Sequence, residues 1–195
     1  MLNLSARLAE LALYRLPASS ECSMGTAREQ QDITWQQRNS AYLALSLRWL
    51  RLRIHRLVDL NEGRARPAEV RRELASVAAS RAAAARSATP PALVGLARQF
   101  NLSSFERDTL LLAAAIGLDS SFSALINRLQ GLEAAAPTAA LALQLFANPS
   151  WDAFAPSAAL RRERLIDFSS LSPTRPFVAA SMRVSEDIET RLKGL

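Results

Sequence analysis

Between Trp35 and Leu60 the apolar residues follow the period of an α-helix for about seven turns. Leucine and isoleucine recur at alternating spacings of four and three residues, at Leu43, Leu47, Leu50, Ile54 and Leu57. This spacing is typical of the seam along which one helix packs on another. A second apolar stripe on a different side consists of Leu45, Trp49 and Leu52. We therefore expect one long helix that packs against two neighbours.

Residues 61–67, NEGRARP, predict a turn that returns the chain alongside this helix. Gly63 suits the left-handed conformation that ends many helices, and Pro67 suits the first turn of the next one. The following apolar positions keep the rhythm of three and four at Val70, Leu74 and Val77. The sequence thus predicts an antiparallel helical hairpin over residues 35–88, as a domain of its own.

The formal net charge of +6 belongs to this hairpin. Residues 48–86 contain ten arginines and four acidic residues, so the rest of the chain is neutral. A basic face attracts nucleic acids or acidic proteins, but arginine is also a good helix former that keeps an apolar helix in solution. The arginines that we single out as possible contacts for a partner are Arg48, Arg51, Arg56, Arg71 and Arg72.

Shorter segments follow the prolines at 90 and 91. Helices are predicted at 92–100, at 103–117, from Asp119 or Ser120 to Leu129, at 138–147 and from Ser185 onward. The segments 164–168 and 177–184 predict a β-hairpin. Several small helices followed by a β-hairpin are the build of a winged-helix domain. The predicted fold class is therefore mostly α, with the helical hairpin followed by a winged-helix-like α+β domain at 89–195.

The sequence FERD, residues 105–108, comes directly before a long apolar run. Ser103 and Glu106 have the spacing of a capping box, in which each side chain bonds the backbone N–H of the other residue. Asp108 in the first turn complements the helix dipole, and Arg107 is expected beside it in solvent. Together with Phe105, this stretch predicts the start of a buried helix and not a catalytic site.

No catalytic, cofactor or metal site emerges from the sequence, so we expect a chain that is not an enzyme. His55 is the single histidine and lies in an arginine-rich helix, where an ordinary, partly exposed side chain is expected. Cys22 is the single cysteine, which favours a reducing cytoplasm. A phosphate-binding loop is missing, because Lys193 is the only lysine and no pair of glycines frames it.

Residues 1–34 are predicted to contain a short amphipathic helix and then a polar linker at 17–34. The helix is indicated by Leu4, Leu8 and Leu11. No run approaches the roughly 18 apolar residues that a membrane-spanning helix needs. The three tryptophans lie beside apolar helical stretches and are predicted to be core residues, at Trp35, Trp49 and Trp151.

A winged-helix pattern raises the question of DNA binding. Recognition helices present Arg, Lys, Asn or Gln to base edges. The third helix of the second half offers Asn127 and Arg128, the fourth offers Gln144, and the predicted wing offers Arg175. These faces look suited to packing, so base readout by this domain is not expected.

Six segments of the second half occur in an order that is known from one family. They are FNLSSFERDTLLLAAAIGLD (100–119), LQG (129–131), PTAALALQLF (137–146), the stretch around Trp151, ALRRERLI (159–166) with Arg161 and Arg162, and MRVSEDI (182–188). In this order they resemble the N-terminal region of the AAA+ ATPases encoded with phage-tail-like extracellular contractile injection systems. The chain departs from that family at Leu132, where an acidic residue is usual, and within 183–188.

The resemblance implies a helical part and a winged-helix-like domain that precede an ATPase core, with ATP and Mg²⁺ bound by that core alone. It also implies a recruitment role, in which the hairpin and the winged-helix surface hold a component of the injection particle, a cargo or the ATPase ring. The alternative hypothesis rests on the basic hairpin and the winged-helix pattern. It is a nucleic-acid-binding regulator.

Overall fold

A computed structural model describes the chain at residues 20–64, 68–131, 136–169 and 176–195, and describes side chains from Asp32 onward except that of residue 33. Several predicted features fall outside the described residues. They are the N-terminal amphipathic helix, the side chain of Cys22, Arg66, Pro67, Leu132 and Arg175.

The described residues are mostly helical. The helices are α1 (Ser20–Asn61), α2 (Ala68–Ala84), α3 (Ala92–Gln99), α4 (Ser104–Leu118), α5 (Phe122–Gln130), α6 (Ala139–Leu145), α7 (Ala159–Arg162) and α8 (Glu186–Lys193). Two strands, β1 (Asp167–Ser169) and β2 (Ser181–Arg183), lie between α7 and α8. Short 3₁₀ turns occur at Trp151–Phe154 and Phe177–Ala179.

Helix α1 begins 15 residues before its predicted start at Trp35. Residues 20–34, which were predicted as linker, are therefore helical. The physical reason is that polar composition does not break a helix: Glu29 and Gln30 are good helix formers, and no proline interrupts α1. The boundary between the two compact units of the chain falls inside this helix, between Thr34 and Trp35.

Helices α1 and α2 run in opposite directions. Arg81 near the end of α2 bonds Ser46 of α1, while Glu73 near the start of α2 pairs with Arg48. The hairpin does not stand apart from the later helices, because residues 35–195 form one compact unit with a common core. The two-sided apolar pattern of α1 explains this arrangement, since one helix partner covers only one side.

The centre of the core is α4. Its residues Leu110, Leu111 and Leu112 are all fully buried, although they are consecutive and point in different directions. A helix that is apolar on all sides is stable only when neighbours surround it. Here the neighbours include α3, α5, α8 and β2. From α1, Leu50 and Ile54 of the predicted seam are fully buried, whereas Leu43, Leu47 and Leu57 are half-buried.

Aromatic rings connect α1 to the β-hairpin through the core. Trp49 stacks on Phe146 with ring centres 5.9 Å apart, and Phe105 meets Phe146 edge to face. Phe105 also contacts Phe154, which in turn packs against Phe168 of β1. Such offset and edge-to-face pairs add stability beyond the area they bury.

The strands form the predicted β-hairpin. β1 and β2 are antiparallel, with Phe168 opposite Met182, and Met182 is fully buried. An antiparallel bridge joins Thr138 to Ser181, so the chain just before α6 lies on the other side of β2. Short helices, a bridging segment and a two-stranded hairpin confirm the predicted mostly helical fold with a winged-helix part.

Most predicted helix ends are confirmed. Ser103 and Glu106 form both bonds of the capping box, and the Thr138 and Ser185 hydroxyls cap α6 and α8. At α5 the prediction was wrong. The N-cap is Ser121, whose side chain makes no cap bond, and Asp119 instead accepts hydrogen bonds from Ser121.

Asn39, which is 2% exposed, joins three helices by hydrogen bonds. Its Oδ1 accepts from the backbone N–H of Ala92 at the start of α3 (2.8 Å), and its Nδ2 donates to the carbonyl of Leu192 in α8 (2.9 Å). Gly194 follows α8 in the left-handed conformation (φ +80°), against Trp35. The beginning and the end of the 35–195 unit are therefore side by side.

Candidate functional site

Three arginines of α1 hold the helix to the rest of the molecule. Arg48 pairs with Glu73 of α2 at 2.6 Å, and Arg51 pairs with Asp119 at 2.7 Å at the turn before α5. Arg53 donates from Nε to the carbonyl oxygen of Leu145 at 3.0 Å. Two of the five arginines predicted as partner contacts, Arg48 and Arg51, thus have acidic partners within the chain.

The other three predicted contacts lie in solvent. Arg72 comes no closer than 3.9 Å to Glu69, and both side chains are more than three-quarters exposed. Arg56 and Arg71 are exposed, and no ion pair involves either among the described residues. The five arginines do not meet at one site. Arg48 and Arg51 line an open depression of about 600 Å³ beside Asp119, while Arg71 and Arg72 lie on α2.

A group of charged side chains lies around the buried Trp49. The guanidinium of Arg81 lies 4.4 Å from the centre of the Trp49 ring, in a cation–π contact. Its Nε donates to the Ser46 hydroxyl (3.1 Å) and its Nη2 donates to Asp108 Oδ1 (2.7 Å). Arg107 donates to the same carboxylate oxygen from Nε and Nη2, each at 3.2 Å.

A third guanidinium adds to the positive charge of this group. Arg53 lies 5.1 Å from the Trp49 ring centre. Burial lowers the pKa of Arg53; the charge of Asp108 opposes that shift, and the charges of Arg56 and Arg81 add to it. Three arginines are thus arranged around one carboxylate. Burying more positive than negative charge is unfavourable unless another anion compensates.

Sequence reasoning missed Arg81 and Asp108 as partners, although a signal for Arg81 was present. The apolar positions of α2, Val70, Leu74 and Val77, are followed four residues later by Arg81. A charged residue at a core position of a helix seam indicates a buried partner. The expectation that Asp108 and Arg107 meet in solvent was wrong for Asp108, because α2 covers this carboxylate and leaves 12% of it exposed.

Trp151 was predicted to be core, and this was also wrong. Its ring is 63% exposed, while the next residues of its 3₁₀ turn, Ala153 and Phe154, are buried. The turn therefore anchors itself through Phe154 and presents Trp151 to solvent. Beside it is a depression of about 300 Å³ whose walls include Phe105, Glu106 and Asp152.

Residues 12–195 match the protein family described as "Winged helix domain, variant". The chain belongs to this winged-helix family. No curated protein matches the chain, and no solved structure matches it. The family match carries no link to AAA+ ATPases or to contractile injection systems.

A helix-turn-helix DNA-binding domain places its second helix in the major groove. In this winged-helix chain α6 is followed by α7, Ala159–Arg162, which has only four residues. Four residues extend an α-helix by only about 6 Å, against a groove about 12 Å wide. Asn127, Arg128 and Gln144 lie on α5 and α6, and Arg128 pairs with Glu62 at 2.7 Å.

The arginines of α7 contribute to winged-helix packing. Arg161 donates to the carbonyl oxygen of Phe154 (3.2 Å), and its guanidinium lies over the rings of Phe168 and Phe177. Arg162 donates to the carbonyl oxygen of Ser157 (3.0 Å). The segment predicted to be structural, ALRRERLI, thus fastens the 3₁₀ turn of Trp151 to the β-hairpin.

Reactive side chains do not cluster in the part of the chain that the structure describes. No group of three His, Cys, Asp or Glu side chains there could hold a metal ion. His55 is partly exposed, as predicted. Among the described helices none is by itself long and apolar enough to cross a membrane; α4 and α5 reach that length and hydropathy only together, at a bend of 119°.

Proposed function

We propose that this chain is a non-catalytic module that binds another protein, and that it serves as the N-terminal recruitment module of a AAA+ ATPase of a contractile injection system. The partner is a component of the injection particle, a cargo or the ATPase ring. The module acts in the cytoplasm. ATP and Mg²⁺ are bound by the ATPase that it serves and not by this chain.

The order of the six sequence segments in the second half supports the link to these ATPases. They run from Phe100 to Ile188, and they include the FERD helix start and the ALRRERLI segment. Membership of the winged-helix family over residues 12–195 is compatible with this link, because the resemblance implies the same type of domain.

The observation that carries the interaction role is the presentation of Trp151. A tryptophan at 63% exposure leaves a large apolar ring in water, while Phe154 fixes its turn in the core. Fixing the turn in advance reduces the entropy lost on binding, and tryptophan is enriched among residues that dominate protein interfaces. This favours a protein partner whose surface covers Trp151.

The ion pairs of the arginines weigh against the alternative of nucleic-acid binding. Phosphate contacts need Lys or Arg side chains that are free to approach the phosphates, and base contacts need a recognition helix. Arg48, Arg51 and Arg81 are already paired with carboxylates, and α7 is short. We therefore favour a protein partner over a nucleic acid.

The test is an affinity purification of the tagged chain from its native source, followed by mass spectrometry of the proteins that accompany it. We expect enrichment of a AAA+ ATPase or of particle proteins, and loss of that enrichment in Trp151→Ala. Leu60→Ala is the matched control, because Leu60 is also a large apolar residue, is 64% exposed, and lies in the last turn of α1. This variant should retain the partner.

Two results would contradict the proposal. One is enrichment of neither an ATPase nor particle proteins from cells in which the particle is assembled. The other is binding of duplex DNA at low salt that weakens steeply as salt is raised, since that behaviour reports phosphate contacts. The second result would support the nucleic-acid-binding regulator.

A further inference from the structure

A cavity of about 220 Å³ opens between α1, α2 and α4, next to the buried arginine. Its walls include Tyr42 and Trp49 on α1 and Arg107 and Asp108 on α4. Three small side chains, Ala78 and Ala82 on α2 and Ala85 directly after it, lie at spacings of four and three residues and leave the space open. Arg81 extends along this space from the same helix.

Arg81 has hydrogen-bond donors that the described residues do not use. Its side chain is only 7% exposed, yet Nε and Nη2 are the nitrogens that donate, to Ser46 and Asp108. A guanidinium carries five N–H groups, so Nη1 lacks an acceptor within the described part of the chain. Because Trp49 covers one face of the group, the free donors point along its plane.

The charge around the cavity also calls for an anion. Asp108 supplies one negative charge, whereas Arg81 and Arg107 border the cavity and Arg53 lies 5.1 Å from the Trp49 ring centre. A buried cation is stable when it is paired, and a carboxylate is the acceptor that matches the planar guanidinium. The cavity therefore offers donors, net positive charge and an apolar wall of alanines in one place.

We propose that this cavity binds the carboxylate of an aspartate or glutamate side chain from an acidic segment of another protein. The carboxylate accepts hydrogen bonds from Arg81 Nη1 and from Arg107, and the alanines of α2 contact its aliphatic stem. The size of the cavity fits a single side chain and is below the roughly 300 Å³ at which pockets for drug-sized ligands begin. This inference does not depend on any link to ATPases.

The experiment is an NMR titration of the whole ¹⁵N-labelled chain with a blocked hexaglutamate peptide at moderate salt. We expect the side-chain N–H signals of Arg81, Arg107 and Trp49 to shift together and to saturate. A blocked hexaglutamine peptide, which has the same length and no charge, should leave them unmoved.

Two pairs of variants locate the site. Ala82→Leu narrows the cavity without altering any charge and should abolish the shifts, whereas Ala79→Leu, on the same helix but outside the cavity wall, should not. Arg107→Gln should weaken binding by about tenfold or more, since a hydrogen bond to a charged group is lost. Arg48→Gln removes an equal charge outside the cavity and should change the affinity less than about twofold.

The proposal is overturned if hexaglutamate causes no saturable shift of the Arg81 and Trp49 signals. It is also overturned if Ala82→Leu binds as well as Ala79→Leu, because attraction to the general basic surface would then explain the binding. Free glutamate tests the source of the carboxylate. If it binds as tightly as the peptide, a small metabolite and not a protein segment is the ligand.

Discussion

Arg81 and Asp108 meet at 2.7 Å between α2 and α4, and both are more than four-fifths buried. Asp108→Ala leaves two buried or half-buried arginines without their carboxylate, so we expect the free energy of unfolding to fall by about 3–5 kcal/mol. Urea denaturation measures this loss. The exposed pair of Arg48 and Glu73 is the control, and Arg48→Ala should cost about 0–1 kcal/mol.

The double variant Arg81→Met, Asp108→Leu tests whether the loss comes from stranded charge. Replacing both partners removes the unpaired group, so the double variant should be more stable than Asp108→Ala. If the double variant is less stable than Asp108→Ala, packing and not charge pairing determines the effect.

Asn39 provides a second stability test. Asn39→Ala leaves the N–H of Ala92 and the carbonyl of Leu192 without their partner, and each loss costs about 1–3 kcal/mol. Hydrogen exchange should show faster opening of α8 in this variant than in the wild type. Asn61→Ala, at the exposed end of α1, should behave as the wild type. Equal protection of α8 in both variants would refute the bridging role.

Trp151 and Trp49 should respond oppositely to substitution. Trp49→Ala removes a buried ring that stacks on Phe146 and should cost about 3–5 kcal/mol. Trp151→Ala should change the free energy of unfolding by less than about 0.5 kcal/mol. It should also remove most of the fluorescence that acrylamide quenches. A large destabilisation by Trp151→Ala would show that the ring packs against the core.

The pKa of Asp119 is below its ordinary value, chiefly because the Ser121 hydroxyl and then its backbone N–H donate to the carboxylate; Arg51 adds to the shift and burial opposes it. Because the folded pKa is the lower one, this carboxylate adds stability above its ordinary pKa. That stability is lost as the pH falls through the folded pKa.

Ser121→Ala should therefore raise the pKa of Asp119 in an NMR titration of its carboxyl carbon, and Ser120→Ala should not. The stability difference between Ser121→Ala and the wild type should be present at neutral pH and shrink in acid. A pKa of Asp119 that is the same in both serine variants would assign the shift to Arg51 instead.

Local signals explain which parts of the fold were predictable. The helix starts at Ser103, Thr138 and Ser185 were predictable because a cap depends on residues three positions away. The β-hairpin was recognised from its composition, although Arg164 to Ile166 form a turn before β1 and Phe177 to Ala179 form a 3₁₀ turn before β2. The predicted helix and strand boundaries differ from those in the structure because boundaries depend on contacts that exist only in the folded chain.

The candidate site depends on contacts between residues far apart in sequence, which local patterns do not encode. Arg81 and Asp108 are 27 residues apart, and Arg53 and Leu145 are 92 apart. The basic character of the hairpin was visible in the sequence, but the sequence did not show which of its arginines form ion pairs within the molecule. Arg48, Arg51 and Arg81 pair with carboxylates inside the molecule. The cavity is lined by alanines on one side and by Tyr42 and Trp49 on the other.

The position of Asn39 between the start of α3 and the end of α8 has a mechanical consequence. Tension applied between residues 35 and 195 would act first on the Asn39–Leu192 hydrogen bond and on the contact of Trp35 with Gly194. Under a pull from its two ends, the unit should yield by release of α8 while the remaining helices stay folded.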